Sequence, residues 1–187
     1  MRVAISGSSG CGNTTVSGLV AQRLGLKKIN YTLRNMADER GVPFTDFHGM
    51  ADERFPELDY ELDEKLVGLA AEGDCVVATR LAVWLDDDRV LKKLGVQKKY
   101  AFDHKFWLDA PLEVRAGRIA KREQKTLEKA LEETRVRDAS NESRYSRAYG
   151  IEWGKPGDAV LVDTEALDAE GVAEKIVSEI KCRNTRN

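Results

Sequence analysis

The chain has little that would place it outside a cell, in a membrane or on a nucleic acid. Its three cysteines, Cys11, Cys75 and Cys182, are odd in number, far apart and without metal-ligand spacing. They suit a reducing compartment better than a disulfide framework or a zinc site. Its two histidines, His48 and His104, have no serine or cysteine near them in a triad-like setting. No apolar run approaches the ~20 residues of a membrane helix. The opening, one arginine and a short apolar run ending in Gly7, is not that of a signal peptide. A formal net charge of −2 lacks the broad basic excess of a nucleic-acid binder. No linker or low-complexity segment interrupts the 187 residues, so 1–187 is expected to be one cytoplasmic domain with no nucleic-acid or membrane partner, and a monomer.

What the chain does have is a set of short apolar runs rich in β-branched residues. Arg2–Ser6, Lys28–Tyr31, Cys75–Thr79, Lys105–Asp109 and Ala159–Asp163 read as buried parallel strands. Helical periodicity fills the intervals, with Val16, Leu19, Val20 and Leu24 on one face early in the chain and Val172, Ile176, Val177 and Ile180 on another near its end. The alternation predicts an α/β fold, a mostly parallel sheet covered on both faces. Two intervals, 32–74 and 110–158, exceed a simple crossover helix and are expected to project over a substrate. The pentapeptide MADER occurs at Met36–Arg40 and at Met50–Arg54, and two copies make no solenoid. Trp84, Trp107 and Trp153 are expected to pack between elements.

The first strand runs into Gly7-Ser8-Ser9-Gly10-Cys11-Gly12-Asn13-Thr14-Thr15, the outline of the phosphate loop G-x-x-x-x-G-K-[ST] with asparagine in place of lysine. The glycines let consecutive N–H groups turn onto phosphate oxygens, and the following helix points its positive end at the same anion. Thr14 stands where the motif's hydroxyl meets magnesium. Asn13 can donate a hydrogen bond but brings no charge, so a kinase built on this loop needs a cation from elsewhere. A Gly/Ser-rich turn without a ligand is the alternative. The strand before it and the amphipathic helix after it favour the phosphate site.

Residues 118–147 hold nine basic residues against six acidic ones, in a chain whose total is negative. Arg137, Asn141 and Arg144 fall at i, i+4 and i+7, on one helical face. They form either a phosphate clamp or a solvated face with pairs such as Glu133–Arg137. Arg34 follows the second strand and Arg80 the third, at the strand ends where open parallel sheets bind ligands.

With these residues in view, the sequence resembles the nucleoside monophosphate kinases, and most closely the short cytidylate kinases of archaeal type, over nearly its whole length. The likeness lies in RVAISGSSGCGNTTVSGLVAQRLGL, ATRLAVW, WLDAPLEVRAGRIAKRE, RVRDASNESRYSRAYGI and DAVLVDT. It implies an open five-stranded parallel sheet with helices on both faces, a monophosphate-binding arm near 32–71, a lid near 112–156, and a core of 1–31, 72–111 and 157–187. The implied reaction takes ATP and CMP or dCMP to ADP and the diphosphate, with Mg2+. By position, residues 7–15 and Arg118 would bind ATP, and Arg34, Arg80 and Asn141 the acceptor. Asp59 and Asp63 would face the acceptor base, and Arg122, Arg137 and Arg144 would close on the transferring group. Four positions depart from the family: Asn13 stands in place of the loop lysine, Tyr31 and Ala78 stand where acids help organise the magnesium water shell, and Asn141 where aspartate is frequent. A nucleotide-binding protein without turnover, or a kinase of another small acceptor, are the competing expectations.

Overall fold

The computed structural model describes residues 1–47 and 54–185. His48 and all of the second MADER copy except Arg54 lie outside them. The order of elements is β1 (Arg2–Gly7), α1 (Asn13–Leu24), β2 (Lys27–Ile29), α2 (Leu33–Glu39), α3 (Glu57–Ala71), β3 (Cys75–Ala78), a 3-10 turn (Ala82–Trp84), α4 (Asp88–Leu94), β4 (His104–Asp109), α5 (Leu112–Glu123), α6 (Leu127–Tyr149), β5 (Val160–Asp163) and α7 (Ala169–Asn184). Among the described residues the strands form one five-stranded parallel sheet in the order β2-β3-β1-β4-β5.

Side chains alternate across the strands, which puts an apolar layer on each face. Val3, Ile5, Val76, Phe106, Leu108 and Val162 pack with Val16 and Val20 of α1 and with Val172, Ile176 and Ile180 of α7. Ala4, Val77 and Trp107 face the other way, against Leu66 and Ala70 of α3, the 3-10 turn, Val90 and Leu91 of α4, and Tyr149 at the end of α6. Trp84 and Trp107 are buried in this second layer, and Trp153 meets Trp107 edge-on at 5.4 Å.

The expected strands stand within two residues of their predicted ends. The second stops at Ile29 rather than Tyr31, because the chain turns there into α2. At that turn the Thr32 N–H and hydroxyl both donate to Asn35 Oδ1, at 2.9 and 2.7 Å. The interval 110–158 contains α5 and α6, joined at Gln124 in the left-handed region (φ 54°). The Glu133–Arg137 pair of the solvated-face alternative is absent among the described residues, and Glu133 accepts from Lys125 at 2.7 Å instead. None of the described helices is long and apolar enough to cross a membrane.

Candidate functional site

The crevice opens at the carboxyl ends of β1, β3 and β4, where the order of connections reverses around β1. Its floor is the loop from β1 to α1. Gly7 passes so close to β4 that a Cβ there would lie 2.5 Å from the Leu108 carbonyl oxygen. At Gly10 the backbone has φ +90°, and a Cβ would meet the Arg115 carbonyl at 2.7 Å. Neither position admits a side chain. Helix α1 has no side-chain cap at its N-terminus. The N–H groups of Asn13 and Thr14 in its first turn have no hydrogen-bond partner among the described residues, and both residues line the crevice at the positive end of the helix dipole.

Several bonds fix the loop. Ser8 Oγ donates to Asp109 Oδ1 at 3.0 Å, and Ser6 Oγ to the Thr79 carbonyl at 2.9 Å. The buried Arg115 of α5 donates to the carbonyls of Ala110 and Ser9, both at 2.9 Å, and to Asp138 Oδ2 of α6 at 2.7 Å. Asp138 Oδ1 accepts the Ser9 N–H at 3.2 Å. Neither Arg115 nor Asp138 was singled out by sequence reasoning. Their only signal was a conspicuous arginine in the first turn of α5 and an acid beside Arg137. Asn13 turns its amide nitrogen to the Thr79 carbonyl at 3.4 Å, while its Oδ1, together with the hydroxyls of Ser9 and Thr79, is buried without a partner among the described residues.

Around this floor lies a cleft of about 790 Å³. It is lined by residues 7–15 and by Arg34, Asp59, Asp63, Arg80, Arg122, Arg137, Asn141 and Arg144, so every candidate except Arg118 lies on it. Arg118 instead donates to the Thr164 hydroxyl (3.0 Å) and carbonyl, at the end of β5. The Cys11 thiol faces the core, and burial pushes it up to about 12, so only the backbone of Cys11 serves the loop. The cleft arginines are held to different degrees. Arg80 donates to Asn141 Oδ1 at 2.7 Å, and Arg122 pairs with Glu123 at 2.6 Å. Arg144 grips Asp59 with two bonds of 2.9 and 2.6 Å, and Arg34 lies 4.1 Å from the Phe44 ring centroid. Arg137 has no hydrogen bond or ion pair among the described residues.

At the far end of the cleft Tyr149 donates to Asp63 Oδ2 at 2.5 Å. Burial, reinforced by the nearby Asp59, raises Asp63 to about 7, while the Tyr149 bond and the Arg144 charge pull it down. Tyr31, which also lines the cleft, is raised to about 12 by burial and by its bond to Glu39. Among the described residues no cluster of three or more acidic, histidine or cysteine side chains stands ready for a metal. The exposed Thr14 and the unpartnered Thr79 hydroxyl are neutral oxygens. With the Thr79 hydroxyl buried, Thr14 alone fits a magnesium ion that keeps its waters and is bound mostly by phosphate oxygens.

A glycine loop between the first strand and an uncapped helix, in an open parallel sheet, defines the P-loop kinase fold. A solved structure of deoxyadenosine kinase from M. mycoides with bound dATP shares that fold, with a TM-score of 0.62 at 17% identity over 97% of this chain and 100% of that one. The particular family follows from sequence: residues 2–163 match the cytidylate kinase-like family. The chain is 36% identical to "Cytidylate kinase 2" of Borreliella afzelii over the full length of both. It is also 36% identical to the cytidylate kinase of Methanocaldococcus jannaschii, over 96% of this chain and 97% of that protein. The chain belongs to the cytidylate kinase-like family.

Proposed function

We propose that the protein is a cytidylate kinase, transferring the γ-phosphoryl group of ATP to CMP or dCMP. The observation that carries this reading is the cleft itself. It brings Arg34, Arg80 and the α6 pair Arg137 and Arg144, from three separate stretches of chain, to face one phosphate loop. Two phosphate-bearing substrates placed end to end need that arrangement.

The unbonded N–H groups at the start of α1 receive the phosphates of ATP, and Arg118, beside Thr164, holds the donor nucleotide. The Thr14 hydroxyl would hold Mg2+, which would supply charge neutralisation on the ATP phosphates. Arg34 and Arg80 hold the acceptor phosphate, with Asn141 fixing Arg80. Asp59 and Asp63 face the acceptor base. An acceptor phosphate oxygen attacks the γ-phosphorus, the bond to the β–γ bridging oxygen breaks, and ADP leaves. The nucleophile is already anionic, so no side-chain base is required. Arg137 supplies the positive charge that Asn13 lacks, while Arg122 and Arg144 complete the ring of cations. Residues 32–71 serve as the acceptor arm and 112–156 as the lid, over a core of 1–31, 72–111 and 157–187. The free thiols of Cys11, Cys75 and Cys182 accord with a cytoplasmic setting.

The test is ADP formation from Mg·ATP with CMP, dCMP, UMP and AMP in parallel. CMP and dCMP should be turned over with the highest kcat/KM. Silence with every acceptor, in a protein that still binds ATP, would leave a nucleotide-binding protein that does not transfer phosphate.

A further inference from the structure

The far end of the cleft is built from one face of α3, where Asp59, Leu62, Asp63 and Leu66 follow at helical spacing, and from Arg144 and Tyr145 of α6. Two carboxyls one turn apart are treated differently there. Asp59 takes both prongs of Arg144 as a carboxylate. Asp63 is 4% exposed, and its hydrogen bond comes from the neutral phenol of Tyr149. Among the described residues no cation is hydrogen bonded to it. An anion so placed carries a desolvation cost that the Tyr149 bond and the charge of Arg144 offset only in part.

We propose that Asp63 meets the acceptor base as the neutral acid, its Oδ1–H donating to a ring nitrogen and its carbonyl Oδ2 accepting from the adjacent exocyclic amino group, so that the cleft takes amino-bearing bases and rejects keto bases. With Tyr149 donating to Oδ2, the proton belongs on Oδ1, and Oδ2 keeps a second lone pair for the amino group. Cytosine presents an unprotonated ring nitrogen beside an amino group. Uracil presents an N–H beside a carbonyl, which faces donor to donor and acceptor to acceptor. A site built to bond one pattern leaves buried groups unpaired against the other, and that is where strong discrimination arises. This rests on the acceptor reading above and adds the protonation state that reads the base.

The groups facing Asp63 are Asp59 on its own helix and Arg144, Tyr145 and Tyr149 on α6, with Arg80 beyond. Burial pushes both tyrosines up, so they stay neutral through the physiological range. Burial holds Asp63 near 7, which leaves it largely protonated at pH 6 and largely ionised at pH 8.

Dissociation constants of CMP and UMP, measured by calorimetry from pH 6 to pH 8, test this. The two nucleotides share one phosphate, so its ionisation cancels in their ratio. For the wild type, the preference for CMP should fall about tenfold across that range as the acid ionises near pH 7. In Asp63→Asn the preference should lose its pH dependence and persist to pH 8, because the amide, with its carbonyl accepting from Tyr149, presents the same donor beside the same acceptor as the neutral acid. In Tyr149→Phe the transition should move to higher pH, since the Tyr149 bond favours the ionised form. A CMP preference in the wild type that is flat or rises with pH would overturn the inference while leaving the kinase reading intact. So would an Asp63→Asn protein, folded by its melting curve, that kept the wild-type pH course. Failure of the wild type to bind CMP at any pH would instead overturn the acceptor assignment, and this inference with it.

Discussion

At Asn13 the question is where the missing positive charge comes from. The amide gives one N–H to the Thr79 carbonyl, so its second side-chain N–H and its backbone N–H are left for the phosphates, and neither brings a charge. Arg137 lies on the same cleft without a hydrogen-bonded or ionic partner among the described residues. Removing one preorganised donor to a developing charge typically costs ~3–4 kcal/mol, or ~10²–10³ in rate. Arg137→Ala should therefore lower kcat by roughly 10²–10³, while Asn13→Lys should change it by less than about tenfold, both read in single-turnover assays. A rise of two orders of magnitude in Asn13→Lys would mean that the loop does lack its lysine. The loop and the arginines at positions 34, 80, 137 and 144 were legible in sequence because motif spacing, strand ends and helical phase are local properties. The outward turn of Arg118 toward Thr164 was not, because it depends on where β5 ends beside α5.

At the scale of elements, the loop is tied to the helices that overhang it. Arg115 of α5 and Asp138 of α6 stand 23 residues apart and meet over Ser9, so that α5, α6 and the loop form one bonded unit. No periodicity signals such a pair. Sequence gave each helix its apolar face, but not the polar contact made when the two helices pack. The Arg115 side chain is 10% exposed and that of Asp138 23%. Truncating Asp138 leaves a nearly buried guanidinium with only the Asp109 carboxylate, 4.0 Å away, as its anion. Breaking a fully buried pair costs ~3–5 kcal/mol, and partial exposure of the acid reduces that. Asp138→Ala should destabilise the protein by about 2–3 kcal/mol in urea unfolding and raise KM for ATP more than KM for CMP. An apolar pair of similar volume, Arg115→Met with Asp138→Leu, should recover stability but not the KM for ATP, because the Ser9 N–H loses its acceptor. Recovery of both would make the clamp a packing device only.

For the whole molecule, the charge balance shows how a protein of net −2 serves substrates rich in phosphate. The excess of arginine is local, and it faces acids on α3. Arg144 grips Asp59, Tyr149 donates to Asp63, and the Tyr60 hydroxyl donates to the Ala148 carbonyl at 2.8 Å, so α3 and the end of α6 are clasped together. A ligand filling the cleft binds the folded chain and not the unfolded one, and it stabilises the fold by RT ln(1 + [L]/Kd). At a hundred times Kd this is ~2.7 kcal/mol. For a chain of this size each kcal/mol moves the melting temperature by ~2–4 °C, which gives a rise of about 5–11 °C. ATP and CMP should each produce such a rise alone and a larger one together, because the loop and the arm lie at different ends of one cleft. Stabilisation by ATP alone would show a donor site without an acceptor site. The clasp between α3 and α6 would then be a structural brace, and the carboxyls of Asp59 and Asp63 would have no base to read.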